Sequence, residues 1–260
     1  MGPSPIYSYS PVAVIVTLNF HPASVKLMPS HHPATIIRFK EDKSLYITRN
    51  GLPGTLLFFA DKVVVKEFEI MDFVGSQTEK NVLAAFAGES QARTRYTFFA
   101  SVARKEGYEQ IGAIFEETSG NEKEHAELFF KHLKGGMAEI RAAYPAGVIA
   151  STAENLKAAA AGEKLEWGSI YPNFAEVAEK EGFKNVATTF RMIAKVESYH
   201  ERRYNKLLES LQLGKVFRKD EPIKWKCRNC GYVFEGKEAP EKCPVCAHPR
   251  AYFEVWVENY

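Results

Sequence analysis

The distribution of apolar positions divides the chain into three textures. Between residues 71 and 213, apolar residues recur at helical spacing. Leu83, Phe86 and Ala87, then Phe99, Ala100 and Ala103, form a stripe along one face. Ser76, with Glu79 three places later, is a capping box that opens this first helix. Gly107 breaks it. A second helix is predicted from about Glu109 to Leu133, stopping at Gly135-Gly136. A third runs from near Ser151 towards Glu181 with Pro172 inside it, and a fourth from about Lys184 to Leu211. Two short turns and one long middle connection describe a four-helix bundle with a crossover. Before residue 71 the pattern is irregular, with prolines at 3, 5, 11, 22, 29, 33 and 53 and short β-branched runs such as Val63-Val64-Val65. After residue 213 the chain turns aromatic, turn-rich and cysteine-bearing. The expected fold is therefore mostly α: a four-helix bundle over 71–213, a linker over 214–222 and a small β metal module over 223–260.

The helical region repeats itself. The run from Tyr96 to Tyr108 matches the run from Tyr171 to Phe183 at an offset of 75 (171 against 96). The same offset pairs Ile111 with Val186, Phe115 with Phe190, Glu122 with Glu197 and His125 with His200. Helices one and two thus form a hairpin repeated as helices three and four, which predicts a pseudo-twofold bundle.

Composition adds mainly exclusions. A net charge of +2 leaves no basic stripe for nucleic acid. No apolar run is long enough to span a bilayer. The apolar stretch Pro11–Phe20 is short and follows no basic residue, so it makes a poor signal peptide. All four cysteines lie between Cys227 and Cys246, as two CxxC pairs. That clustering suggests metal ligation rather than a disulfide framework, and metal thiolates fit a reducing cytosol.

The repeat carries chemistry. Glu122 with His125 and Glu197 with His200 are both Glu-x-x-His. Residues three apart lie about 300° around a helix, so each pair points at one place. The other two helices each offer Ala-Gly-Glu, ending in Glu89 and Glu163. A Glu from each of two helices plus Glu-x-x-His from each of the other two is the ligand set of di-iron carboxylate bundles. Such oxygen and imidazole donors suit iron or manganese. One Glu-x-x-His on a solvated face would mean nothing; two at the repeat offset mean more. Glu89 precedes Tyr96 by seven positions, whereas Glu163 precedes Tyr171 by eight. The extra residue predicts a π-bulge in the third helix. The same segment brings Glu166, a candidate seventh ligand that would make the two metals unequal. The cysteine pairs Cys227/Cys230 and Cys243/Cys246 would build a tetrahedral S₄ site for zinc or a single iron.

These motifs resemble rubrerythrin. The resemblance spans Met71 to Tyr260 and rests on Ala-Gly-Glu89-Ser-Gln-Ala-Arg, both Glu-x-x-His pairs, Ala-Gly-Glu163-Lys-Leu-Glu166, Tyr171-Pro172, and Lys226-Cys-Arg-Asn-Cys-Gly-Tyr232 with Cys-Pro-Val-Cys-Ala-His-Pro. It implies a ferritin-like di-iron domain followed by a rubredoxin-like Fe(Cys)₄ domain. It also implies peroxidase activity, in which hydrogen peroxide becomes water with electrons entering through the cysteine-ligated iron. Those electrons would come from NAD(P)H by way of a donor protein such as a rubredoxin or its reductase. On this chain the di-iron ligands would be Glu89, Glu122, Glu163, Glu166, Glu197 and His200. His125 would exchange with Glu166 as the oxidation state changes. Tyr96 and Tyr171 would hydrogen-bond the ligands or simply pack in the core. A cytoplasmic homodimer with head-to-tail subunits is expected. The competing function class is iron handling as a ferroxidase; it has no use for a dedicated one-electron donor such as the cysteine site.

Residues 1–70 lie outside the resemblance. Lys66-Glu67 is encodable as AAGGAG, a ribosome-binding sequence placed just before Met71. The stretch is therefore expected to be a mis-assigned upstream translation, which N-terminal sequencing of the natively expressed protein tests.

Overall fold

The computed structural model describes residues 72–259, and before them only the backbone of four strands. Those strands are β1 (Val12–Thr17), β2 (Lys26–Phe39), β3 (Ser44–Leu57) and β4 (Val64–Glu69), in an antiparallel sheet ordered β2-β3-β1-β4. They belong to a unit separate from the rest of the chain. The expectation that residues 1–70 are an upstream translation lies outside the described residues.

The helical unit follows the apolar pattern closely. Helix α1 spans Gln77–Lys105 and α2 spans Glu109–Phe130. The third helix is a composite. Segment α3 (Thr152–Leu165) passes through a π-helical turn at Glu166–Ile170 into α4 (Tyr171–Lys180). The Tyr171 N–H donates to the Glu166 carbonyl, the i→i+5 bond that the additional residue predicts. Helix α5 spans Lys184–Gln212.

Both hairpin turns use the same device. Gly107 and Gly182, at φ +85° and +89°, take the left-handed conformation that glycine adopts without strain. The next N–H reaches back five residues, Tyr108 to the Ala103 carbonyl at 2.8 Å and Phe183 to the Ala178 carbonyl at 2.7 Å. The helix starts are tied crosswise. Glu181, in the second turn, accepts from the Gln77 and Thr78 N–H groups at 3.2 and 2.8 Å, at the start of α1. Glu106, in the first turn, accepts from the Thr152 N–H at 3.0 Å, at the start of α3. At Ser76 only half of the expected box forms. Its hydroxyl accepts from the Glu79 N–H at 3.0 Å, but the Glu79 carboxylate takes the Gly75 N–H at 2.7 Å. The reciprocal box sits instead at Ser151 and Glu154.

The core consists of two aromatic clusters related by the repeat. Tyr96, Phe99, Phe115 and Tyr204 interlock in one, with Phe115 and Tyr204 ring centres 5.1 Å apart. Phe129, Tyr171, Phe174 and Phe190 form the other, with Phe129 and Phe190 4.9 Å apart. Each of these large rings buries enough apolar surface that truncation to alanine costs about 3–5 kcal/mol where the ring is fully enclosed. Together they anchor the polar layer between them. The long connection from α2 to α3 crosses α1, where the Tyr144 hydroxyl donates to the Ala84 carbonyl at 2.7 Å.

The C-terminal module is a three-stranded antiparallel sheet ordered β6-β5-β7, made of β5 (Arg218–Cys227), β6 (Val233–Glu238) and β7 (Phe253–Val255). Strand β5 already begins inside the stretch read as a linker. Trp225 is fully buried beneath the module, with Cys227, Cys243 and Phe253 beside it. The module touches the end of its own bundle: Tyr108 stacks on Phe217 at 6.1 Å, and Gly107 faces Ala251.

Candidate metal centres

Glu89 on α1, Glu122 and His125 on α2, Glu163 on α3, and Glu197 and His200 on α5 project into the layer between the aromatic clusters. All of them are buried. Their donor atoms form two overlapping groups, Glu89/Glu122/His125/Glu197 and Glu122/Glu163/Glu197/His200, each with one donor per residue and all within 4.8 Å of one another. Glu122 and Glu197 belong to both groups, the position of carboxylates that bridge two cations. His125 and His200 each belong to one, and their rings lie 6.0 Å apart.

The contacts show what the cluster is built for. His125 Nδ1 lies 2.8 Å from both Glu122 Oε2 and Glu197 Oε1. His200 Nδ1 lies 2.7 Å from Glu197 Oε2 and 3.2 Å from Glu122 Oε1. Yet neither of these nitrogens, nor either oxygen of Glu122 or Glu197, finds an aligned hydrogen-bond partner. Buried polar atoms in such number without partners cost heavily. Lone pairs that converge on shared points, rather than pairing with one another, fit cations. Charge says the same. Burial pushes Glu89 and Glu166 well above the usual carboxylate range, and neighbouring carboxylates add to the shift. Burial likewise takes Glu163 up to about 8, against the opposing pull of His200. Burial also works on Glu197, but His125 and His200 outweigh it and draw it to about 2. Burial lowers the imidazoles, and the surrounding carboxylates more than reverse this, to about 10 for His125 and about 12 for His200. So many carboxylates in one dry layer require positive charge, and divalent cations supply it.

The two tyrosines are more than core packing. The Tyr171 hydroxyl donates to Glu89 Oε1 at 2.5 Å, and the Tyr96 hydroxyl donates to Glu163 Oε1. Each tyrosine reaches the carboxylate of the opposite hairpin, not that of its own helix. Glu166 stands apart. It lies in the π-turn outside both donor groups, and it lines a cavity next to Tyr171. Of the expected ligand set, the structure therefore gathers every member except Glu166, with His125 inside the cluster.

At the other site, Cys227, Cys230, Cys243 and Cys246 bring their sulfurs within 4.8 Å of one another. The contacts Cys227–Cys246 and Cys230–Cys243 measure 3.7 and 3.6 Å. A tetrahedron with metal–sulfur bonds of ~2.3 Å has edges of ~3.8 Å, so the four sulfurs are spaced for one metal ion. Backbone N–H groups of Tyr232 and His248 donate to Cys230 and Cys246. Cys230 is exposed. It gives the site an edge that faces solvent.

Sequence reasoning missed the crosswise Glu106 and Glu181 caps, the cavity, and Arg95, whose Nε is buried without a partner. The caps had a signal, since both glutamates occupy the same place in the repeated Lys-Glu-Gly.

Comparison with known proteins agrees with this architecture. The family model Rubrerythrin matches residues 80–208, and the rubrerythrin rubredoxin-like domain matches residues 225–254. A rubrerythrin of Porphyromonas gingivalis is 64% identical over 72% of this chain and 93% of its own length. One from Clostridium perfringens is 56% identical over 72% and 97%, and one from Nitratidesulfovibrio vulgaris is 53% identical over the same shares. With a carboxylate/histidine di-iron site in a helical bundle and a rubredoxin-like four-cysteine site after it, the chain belongs to the rubrerythrin family.

Proposed function

We propose that the chain is a non-haem di-iron peroxidase that reduces hydrogen peroxide to water. The observation that carries this reading is the pairing of two sites of different kind in one chain. A buried carboxylate/histidine cluster suits two irons, and an exposed-edged cysteine cluster suits one. Peroxide reduction consumes two electrons per turnover, and a one-electron thiolate iron is the means to return them. An iron store has no need of such a donor, so the ferroxidase reading leaves the C-terminal module without a purpose.

In this reading Glu122 and Glu197, which belong to both donor groups, would be shared by the two irons, while His125 and His200 would each hold one. Glu89 and Glu163 complete the set, and Glu166 is the carboxylate free to approach from the π-turn. When bound, the irons supply the redox chemistry. Tyr171 and Tyr96 fix the orientation of Glu89 and Glu163 through their hydroxyls. The aromatic clusters above and below keep bulk water from the layer. The electrons derive from NAD(P)H through a donor protein of the rubredoxin or reductase kind, and the setting is oxidative-stress defence in the cytoplasm. Among the described residues no helix is long and apolar enough to cross a membrane.

The test is steady-state turnover of hydrogen peroxide against dioxygen, with a reductase supplying electrons and iron counted per chain. The expected result is preferred peroxide turnover with about three irons per chain, two in the bundle and one at the cysteines. Cys230→Ser is expected to remove the thiolate-iron absorption and donor-driven turnover while the bundle keeps its irons. Donor-driven turnover at the normal rate in that variant excludes electron entry through the cysteine site.

A further inference from the structure

Beside the di-iron layer lies a cavity of about 270 Å³ that hydrogen peroxide does not need. It is a half-open pocket between α1 and the α3–α4 rod, flanked by the crossover connection, whose Ala142 and Ala143 are exposed. Most of its wall is apolar: Ala84, Ala85, Ala142, Leu165, Ile170 and Phe174 line it. Tyr144 forms part of the roof. Its hydroxyl is tied to the Ala84 carbonyl at 2.7 Å, and its ring lies 3.5 Å from where a side chain on Gly88 would begin. Gly88 and Gly162, each just before a cluster glutamate, keep the space between the helices open.

The polar part of the wall faces the metal layer. Glu166 lines the cavity and also feels the charges of Glu163, Glu197 and Glu122, so it stands at the boundary between cavity and cluster. Tyr171, whose hydroxyl holds Glu89, lines the same side. Arg95 also contributes. Its Nε is buried without a partner, and its Nη2 lies 3.7 Å from where a side chain on Gly162 would begin. A cavity of about 150 Å³ is enough to hold benzene, so this pocket has room for a compact hydrocarbon group. A ligand that fits this space has a compact hydrocarbon body and a small polar head directed at Arg95 and Glu166.

We propose that this cavity receives the alkyl body of an organic hydroperoxide, so that the chain reduces alkyl hydroperoxides in addition to hydrogen peroxide. The inference rests on the peroxidase reading above and names a second substrate class for the same centre. The reaction balances as ROOH with two electrons and two protons giving ROH and water. The O–O bond breaks, the electrons come through the iron sites as for hydrogen peroxide, and the protons come from solvent. Arg95 donates a hydrogen bond to the departing alkoxide oxygen, while the alanine-lined wall holds the hydrocarbon.

The test compares cumene hydroperoxide with hydrogen peroxide on the iron-loaded full chain and on two variants that fill the cavity. Ala84→Leu fills it from α1. Ala142→Trp fills it from the crossover, at an exposed position where a large side chain leaves the bundle undisturbed. Neither residue belongs to the metal cluster. In each variant the KM for cumene hydroperoxide is expected to rise roughly tenfold or more, while hydrogen peroxide kinetics stay within about twofold. Calorimetry with the product alcohol, 2-phenylpropan-2-ol, gives a readout independent of turnover: binding to the parent chain and loss of binding in both variants. The inference is overturned if hydrogen peroxide is reduced and cumene hydroperoxide is not. It is equally overturned if both KM values move together or if the alcohol does not bind. Absence of turnover with either peroxide in the parent chain brings down the peroxidase reading as well.

Discussion

The hydroxyls of Tyr96 and Tyr171 each link a cluster carboxylate of one hairpin to an aromatic cluster built largely by the other. Both phenols are held well above their usual range, first by burial and then by nearby carboxylates, so they stay protonated and remain donors. A protonated donor orients the carboxylate it holds and turns one lone pair away from the metal. Tyr96→Phe and Tyr171→Phe are each expected to lower iron affinity in the bundle by about 10- to 100-fold with little change of fold. Chelator competition on the bundle irons, with circular dichroism as the control, checks this. Iron retention identical to the parent in both variants would show that the two phenols serve packing alone.

Two features at the scale of elements position these residues. The first is the π-turn at Glu166–Ile170, which absorbs one extra residue while leaving Glu163 and Tyr171 in their repeat-related places. Deleting Ser169, an exposed residue within that turn, is expected to restore a continuous α-helix. Glu166 then leaves its position at the cavity, and Glu163 keeps its own. Peroxide turnover should fall by at least about tenfold while two irons still bind in the bundle. Iron counting alongside steady-state kinetics on the deletion variant decides it. The second feature is the exchange of caps between hairpins. Carboxylates near a helix N-terminus satisfy free N–H groups and interact well with the helix dipole. Glu106→Ala and Glu181→Ala should each cost about 0.5–2 kcal/mol, and the double variant should show the sum because the two sites lie at opposite hairpins. Denaturant unfolding of the three variants measures both the size and the additivity. A null effect at both positions removes the caps from the account of how the hairpins are locked together.

For the molecule as a whole, the proposed function requires an electron to pass from the cysteine site to the di-iron layer. The module rests on the end of the bundle where α5 finishes at Gln212, against Tyr108 and Gly107. His200 lies twelve residues before that end (212 against 200). At 1.5 Å per residue this separates the layer from the bundle end by more than about 16 Å along the axis. That span is long for fast transfer within one chain. A head-to-tail twofold dimer would set each cysteine site against the partner's di-iron layer, and twofold symmetry is the commonest among oligomers. Mixing two inactive variants tests the proposal. One lacks Cys230, the other lacks Glu122 and Glu197. Exchange of subunits is expected to restore activity, because each heterodimer regains one intact pair of sites across the interface. Demonstrated exchange without restored activity excludes electron transfer between subunits.

The sequence by itself determined the periodic elements and the identity of nearly every residue that the fold gathers into the two clusters. Helical spacing, the 75-residue repeat and the paired CxxC turns are local properties, carried by residues a few positions apart or by a direct copy of a segment. Even the π-turn was legible, because a repeat with one extra residue must absorb it somewhere. Tertiary structure alone decided what lies opposite what. The crosswise bonds from Tyr96 to Glu163 and from Tyr171 to Glu89 join residues far apart in the chain, and either tyrosine could have served its own helix. Glu166 has the same spacing and chemistry as a ligand, yet the rotation of the π-turn places it at the edge of a cavity that no local pattern announces. The caps at Thr78 and Thr152 depend on how two hairpins meet, and the space under Tyr144 depends on where a long connection comes to rest. Spacing along a helix fixes which face a side chain occupies. Only packing between helices fixes which partner that face meets.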